Sequence, residues 1–336
     1  MARHRIFSGM QPTGEAHLGN YLGAIRQWVE LQEAPDAPEA FYSIVDYHAL
    51  SIAMTADQLR AWTFDMAATF LACGLDPKRV VLFRQSDVPE HTELAWILAT
   101  SAAMGDLSRM TQFKEKSEQN RDNVNAGIFI YPVLQAADIL LYKADRVPVG
   151  EDQVQHLELA RELARRFNRR VGFDVFPEPQ PLLSKVTRLK GLDGSAKMSK
   201  SKGNTVALSD APDAIRAKIK VAVTDPARLR RYDPGHPEVC NVFTLHGSFT
   251  APLNAARYAE IDRDCRSGAL GCVDCKKELA DRVVEHLTPI RERLEALRAK
   301  PDELEAVLAD GGKRAGEVAR ATMEDVRARI GVRPSR

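Results

Sequence analysis

Little in the 336-residue sequence would place it in a membrane or outside a cell. No apolar run is long and uninterrupted enough to span a bilayer. The strongest, GIFIYPVLQAADILLY (Gly127 to Tyr142), is broken by Pro132, Gln135 and Asp138. The opening MARHRIFSG lacks the apolar stretch and small-residue cleavage site of a secretory signal, so a cytoplasmic location is expected. Only five cysteines occur, and in that compartment they are not expected to pair as disulfides. An excess of either charge is missing too, with 47 Lys+Arg against 46 Asp+Glu and a net charge of +1. That balance neither demands nor excludes nucleic acid, because a local patch can bind phosphates on a neutral protein. The stretch ARELARRFNRR (Ala160 to Arg170) carries five arginines on a predicted helix. It reads equally well as a solvated face or an RNA contact. Internal repeats and low-complexity segments are absent.

What is present is globular: 44% hydrophobic and 28% charged residues, in a length that suits roughly two domains. The first half alternates β-rich runs with amphipathic patterns. RIFSGM (Arg5 to Met10), AFYSIVDY (Ala40 to Tyr47) and RVVLFRQS (Arg79 to Ser86) read as strands. GNYLGAIRQWVELQ, ADQLRAWTFDMAATFLAC and PEHTELAWILATSAAM read as helices. Such alternation predicts an α/β fold, a parallel sheet with helices on both faces. Ligands in such folds collect at the C-terminal ends of the strands. The polar clusters Gln11–Thr13, Asp46–His48 and Gly150–Gln153 fall at those ends. After about residue 205 the pattern becomes helical with charged faces. The expected division is therefore a Rossmann-like catalytic domain over 1–204 and an α-helical domain over 205–336.

Two motifs carry chemistry. QPTGEAHLGN (Gln11 to Asn20) lies between the first strand and its helix. Gly14 and Gly19 permit a tight turn and close ligand approach, and the helix N-terminus is expected to offer unpaired N–H groups to an anion. His17 and Asn20 would add neutral donors. AKMSKSKGN (Ala196 to Asn204) packs three lysines and two serines into Lys197 to Lys202, beside Gly191, Gly194 and Gly203. Ammonium groups on a mobile loop can follow the charge that develops on a leaving pyrophosphate.

HLGN (His17 to Asn20) and KMSKS (Lys197 to Ser201), in this order, resemble the paired signatures of the class I aminoacyl-tRNA synthetases. GMQPTGEAHLGNYLGA, YPVLQAADILLY and VPVGEDQVQHLELARELARRFN resemble the bacterial tryptophanyl branch. The likeness runs from about Phe7 to Lys202 and resumes in AVTDPARLRRYDP and LTPIRERLEAL. It implies a tryptophan–tRNA ligase: ATP and L-tryptophan form tryptophanyl-adenylate and pyrophosphate, and the amino acid then passes to its tRNA. Mg²⁺ would accompany the ATP, and the resemblance implies a homodimer, with neither membrane nor DNA as a partner. The tyrosyl branch is the nearest rival, and GEDQ at Gly150 with QPTG at Gln11 favours tryptophan. A regulatory paralogue would show damaged ATP motifs, and both are intact. A nucleotidyltransferase sharing HLGN would leave KMSKS unexplained.

The resemblance implies roles residue by residue. Gln11, Pro12, Thr13, Gly19 and Asn20 would hold the ATP phosphates and adenosine. Gly150, Glu151 and Asp152 would face the nucleotide, with Leu189 on the adenine. His17, Asn20, Lys197 and Lys200 would stabilise the transition state within the Met198, Ser199 and Ser201 loop, with Lys116 in QFKEK as a helper. His17 stands where the tryptophanyl branch carries threonine and restores the general class I form. For tryptophan, Phe7, His48, Val147 and Val149 would line apolar walls. Tyr131 and Gln153 would bind the ammonium and Gln11 the carboxylate. Gln135 stands where some members carry methionine. Indole has one donor, so the pocket needs one acceptor. Asp138, among Ala136, Ala137, Ile139 and Leu140, would be that acceptor, and a substrate without the N–H would leave it unpaired. His48 has a second reading as a satisfied core histidine.

Cys240, Cys265, Cys272 and Cys275 form C-x24-C-x6-C-x2-C, while Cys73 sits in an apolar helix and reads as core. Four thiols ending in C-x2-C argue for a metal site rather than disulfides. Tetrahedral zinc and a 4Fe–4S cluster both fit, and His236 would substitute in a zinc site. A subset of tryptophanyl synthetases carries a 4Fe–4S cluster at nearly this spacing, beside the anticodon-binding region. The resemblance therefore implies the cluster.

Overall fold

Five short segments meet in one parallel sheet: Arg5–Met10 (β1), Glu39–Ile44 (β2), Val81–Arg84 (β3), Arg146–Val149 (β4) and Gln180–Leu183 (β5). The computed structural model describes residues 4–111, 125–150, 153–183, 189–195, 198 and 202–332. β2 is buried on both faces along Ala40 to Ile44, as a central parallel strand covered by helices must be. Register is set by pairs such as Phe7 with Phe41 and Phe41 with Val81. The spatial order is β3-β2-β1-β4-β5. Chain order runs outward from β1 to β3, then restarts on the other side at β4. The crevice at that reversal, beyond the carboxyl ends of β1 and β4, is the usual ligand position in such sheets. Gln11 follows β1 there and Gly150 follows β4, as the strand reading expected.

The connecting helices are Ala56–Ala72 (α1), Glu90–Ala99 (α2), Ala126–Leu141 (α3) and Val154–Val171 (α4). α1 opens with a capping box, in which Thr55 accepts from the Gln58 N–H and Gln58 reaches back. α4 stops at Gly172, whose φ of 72° is the left-handed geometry of a helix C-cap. The stretch GNYLGAIRQWVELQ is not one regular helix: a short turn at Leu18–Asn20 runs through a π-helical stretch, Tyr21–Ile25, into an α-helix at Arg26–Glu33.

Beyond residue 205 the elements are helical, as read: Pro212–Lys220 (α5), Asn241–Phe249 (α6), Ala255–Arg266 (α7), Cys272–Arg298 (α8) and Pro301–Ile330 (α9). No helix among the described residues is long and apolar enough to cross a membrane.

The chain groups into two compact units. Unit 1 is Met1–Gly14, Gln27–Ser184 and Lys300–Arg336; unit 2 is Glu15–Arg26 and Lys185–Ala299. This grouping does not follow a single cut at 204/205. The reason inside unit 1 is α9. A Cβ on Gly311 would lie 1.7 Å from the Leu82 carbonyl oxygen, and one on Gly312 would lie 2.9 Å from Asp87 Cβ. Glycine there lets the helix reach the backbone of β3. Arg314 then donates to the carbonyls of Pro77 and Val80 at 2.7 and 2.9 Å, and Arg84 pairs with Glu305.

Candidate active site

In unit 1 the residues expected around tryptophan occupy the carboxyl-end region of the sheet and helix α3. Asp138 is 1% exposed, which rules out a solvent-facing carboxylate. Its neighbours on α3 are apolar, so its charge has to be met by specific partners. His48 Nε2 lies 2.8 Å from Oδ2, while Gln85 Nε2 and His91 Nδ1 lie 2.7 and 2.6 Å from Oδ1. Burial alone would raise the Asp138 pKa; the His48 and His91 imidazoles outweigh it and hold the carboxyl below its usual value. His91 Nε2 in turn meets the Tyr142 hydroxyl at 2.8 Å. His48, expected as a wall of the site or a satisfied core histidine, is thus bonded to Asp138. Gln85, His91 and Tyr142 were not anticipated. Their sequence signal was weak: Gln85 lies near the end of RVVLFRQS, and His91 sits in the polar first turn of α2 with Glu90, Thr92 and Glu93.

Phe7 is buried in β1 and stacks on Tyr142 with ring centroids 5.6 Å apart. His48 meets the Tyr131 ring edge-on at 6.3 Å, and Tyr131 Oη lies 2.9 Å from His156 Nε2. Val147 and Val149 are buried on β4, and Gln135 is half-buried on α3. The Gln153 N–H donates to the Gly150 carbonyl at 3.0 Å, turning the chain from β4 into α4. Gln11, Pro12 and Thr13 form the turn after β1, where the Thr13 N–H donates to the Gln11 carbonyl at 2.9 Å and Gly14 takes a φ of 105°.

In unit 2 the first signature motif lies beside Met198. Residues 16–18 pair antiparallel with 206–208: the Leu18 N–H donates to the Val206 carbonyl at 2.9 Å and the Leu208 N–H to the Ala16 carbonyl at 3.0 Å. The buried Met198 side chain lies beside Gly19, where an added Cβ would stand 3.6 Å from Met198 Cβ and 2.8 Å from His17 Cε1. Any side chain at position 19 would push into the His17 ring. His17 Nδ1 accepts the Gly19 N–H at 3.0 Å, and Asn20 Oδ1 accepts the His17 N–H at 3.1 Å. The expectation of unpaired N–H groups at this turn is therefore corrected: those of Leu18 and Gly19 are bonded to Val206 and His17. Asn204 Nδ2 donates to Asp193 Oδ1 and Ser195 Oγ, both at 2.9 Å. Leu189 is buried. Lys116, Glu151, Asp152, Lys197, Ser199, Lys200 and Ser201 lie outside the described residues.

The four late cysteines belong to unit 2 and carry no disulfide, and Cys73 is buried, as read. Burial first, then the neighbouring Cys240, Cys265 and Cys272, push the Cys275 thiol up to about 12. Cys265 is raised by burial and by Cys240 and Cys272, against the pull of Arg228. The thiols therefore sense one another. Among the described residues, no group of three or more His, Cys, Asp or Glu is arranged to hold a metal ion. His236 Nδ1 lies 2.8 Å from Asp225 Oδ2.

The sequence pattern described as tRNA synthetases class I (W and Y) matches residues 1–288. A tryptophan–tRNA ligase of Deinococcus radiodurans is 47% identical over 97% of this chain and 98% of its own length. One from Thermotoga maritima is 46% identical over 96% and 98%. Among solved structures, a Campylobacter jejuni tryptophanyl-tRNA synthetase complexed with ADP and tryptophan aligns with a TM-score of 0.84 at 36% identity. That alignment covers 98% of this chain and 100% of the other.

Proposed function

The chain belongs to the class I tRNA synthetases (W and Y), and from that premise we propose how its residues carry the reaction. It is an ATP-dependent ligase that joins tryptophan to tRNA. The observation that carries this reading inside the fold is the pairing of residues 16–18 with 206–208, which brings HLGN against Met198 of the KMSKS loop.

Chemistry of this kind needs positioning and charge stabilisation rather than a covalent enzyme intermediate. The tryptophan carboxylate attacks the α-phosphorus of ATP in line, forming tryptophanyl-adenylate and releasing pyrophosphate. A terminal ribose hydroxyl of the tRNA, the 2′-OH as is usual in class I, then attacks the acyl carbon and AMP leaves. We assign His17, Asn20, Lys197 and Lys200, with Lys116, to the charge that develops on the phosphates, and Mg²⁺ to the triphosphate. Gln11, Pro12, Thr13, Gly19, Gly150, Glu151, Asp152, Leu189, Met198, Ser199 and Ser201 bind ATP. Asp138 accepts the indole N–H. Phe7, His48, Gln135, Val147 and Val149 form the walls, while Tyr131, Gln153 and Gln11 hold the amino-acid head group. Residues 1–204 supply catalysis and 205–336 the helical surface for tRNA. We place the reaction in the cytoplasm. A homodimer fits the exposure of Trp96 (74%) and Met104 (71%), apolar groups a monomer would leave in water.

To Cys240, Cys265, Cys272 and Cys275 we assign a 4Fe–4S cluster, with one zinc ion as the alternative. The donor set suits a cluster, since four thiols stand free of disulfides and within electrostatic reach of one another. Bound there, it would brace the tRNA-facing helices, and no step of the reaction passes through it. Iron analysis with the visible spectrum of anaerobically purified protein tests this; a colourless protein with one zinc overturns the cluster.

Charging of tryptophan tRNA by the purified protein tests the function. ATP–pyrophosphate exchange dependent on tryptophan and not tyrosine is expected; exchange with tyrosine alone overturns it.

A further inference from the structure

We propose that His91 is a positioning residue for amino-acid specificity: together with Gln85 it fills one oxygen of Asp138, so that the substrate finds one acceptor direction, on the other oxygen. This rests on the assignment of Asp138 as the indole acceptor.

A carboxylate offers about four lone-pair directions. Among the described residues, Gln85 and His91 take both of those on Oδ1, and His48 takes one on Oδ2. One direction on Oδ2 is left for a donor. An ionised carboxylate only accepts, so His91 Nδ1 must carry the proton. In the neutral ring, Nε2 then accepts from the Tyr142 hydroxyl, 2.8 Å away. The chain of bonds has one polarity, Tyr142 to His91 to Asp138. Burial, with the charges of Asp138 and Glu90, pushes the Tyr142 phenol well above its usual value, so it stays a donor.

The ring is also held in place. His91 is 0% exposed and packs between Phe83 at 5.9 Å, Tyr142 at 5.4 Å and Phe7 at 6.4 Å. A rotated Asp138 would have to give up both bonds on Oδ1 before it offered a second direction to a substrate. Discrimination for an N–H donor therefore depends on residues that the donor never touches. His48 lies on the other oxygen, where the substrate arrives, and Gln85 alone leaves the carboxylate one pin.

The test compares tryptophan with its 3-benzothienylalanine analogue, where sulfur replaces the ring N–H, in ATP–pyrophosphate exchange. Wild type, His91→Leu, His91→Asn, Tyr142→Phe and Asp138→Asn are measured, with thermal melts for each. His91→Leu should cut the tryptophan preference about 10- to 100-fold, the worth of a hydrogen bond to a charged group. The loss should appear in KM for tryptophan, with kcat and KM for ATP held. Asparagine keeps an N–H near the position of Nδ1, so His91→Asn should restore most of the preference. Tyr142→Phe should lose a few-fold, roughly the worth of one neutral hydrogen bond. If Asp138→Asn leaves the preference intact, the acceptor assignment fails and takes this proposal with it. If Asp138→Asn abolishes the preference while a folded His91→Leu keeps it, only the role of His91 falls. Should His91→Leu not fold, His91→Asn and Tyr142→Phe decide: a His91→Asn preference as poor as that of Asp138→Asn, or an unchanged Tyr142→Phe, overturns the proposal.

Discussion

The buried polar network of unit 1 and the four late cysteines of unit 2, of which only Cys240 is fully buried, differ in what completes them. In unit 1 the Asp138 carboxylate is met by Gln85, His48 and His91, and His91 by Tyr142. Charge and donors balance within the chain. In unit 2 burial first, and then the neighbouring thiols, push Cys275 up to about 12. Protonated thiols are weak donors and weak acceptors, so the cluster gains little cohesion from its own members. Folding alone finishes the first. The metal centre proposed for the second would turn thiol into thiolate, and such a site links metal binding to folding.

Removing the central member of the balanced cluster should have the largest effect. Asp138→Ala strands three donors and is expected to lose about 3–5 kcal/mol of stability, read by urea unfolding. Its kcat/KM for tryptophan should fall roughly a thousandfold or more. Cys275→Ala in metal-free protein should cost far less, because no strong bond is broken; equal losses would erase the contrast. Next comes the frame around β3. Gly311→Ala forces a methyl group onto the Leu82 carbonyl and should destabilise by about 1–3 kcal/mol, with tryptophan activation reduced as the end of β3 shifts. Unchanged stability would show that α9 does not brace that strand.

Cys272→Ser sharpens the contrast functionally. It should leave ATP–pyrophosphate exchange intact and lower tRNA charging about tenfold or more. Equal loss of both would place the cysteines in the activation step. The smallest effect is expected from pH. Burial, aided by Arg26, holds His286 below its usual value of 6.5. The folded state thus favours the neutral ring, and that contribution is complete above pH 6.5 and fades as pH falls below it. Asp138 is also depressed, so its contribution is complete above 3.8 and fades only below that. Hydrogen exchange across a descending pH series should show unit 2 loosening first.

Strand positions were legible because parallel-sheet cores read as short apolar runs bounded by polar turns: RIFSGM matched β1 residue for residue, while AFYSIVDY and RVVLFRQS overran β2 and β3. Asp138 stood out by chemistry, a carboxylate among Ala136, Ala137, Ile139 and Leu140, and His48 by resemblance. His91 was not, since a histidine on a mostly apolar helix looks the same whether it is packing or polar network until its partners are known. The fate of Pro301–Ile330 was hidden for a related reason. A helical period fixes which face is apolar, but not which neighbour that face will meet. Only Gly311 and Gly312, costly inside a helix, hinted at a backbone pressing close. The pairing of 16–18 with 206–208 had no local signal, because bridges between distant segments leave no periodic trace.

That pairing bears on the order of synthesis. Domains generally fold N-terminal first as the chain emerges from the ribosome, yet the strand partner of His17 is Ala207. The segment carrying HLGN is made well before its partner and must wait, unpaired, until Val206 and Leu208 emerge. β3 likewise waits for α9 to cover it. A nascent chain cut short before residue 206 would contain all five strands of the sheet but could not seat its first signature motif.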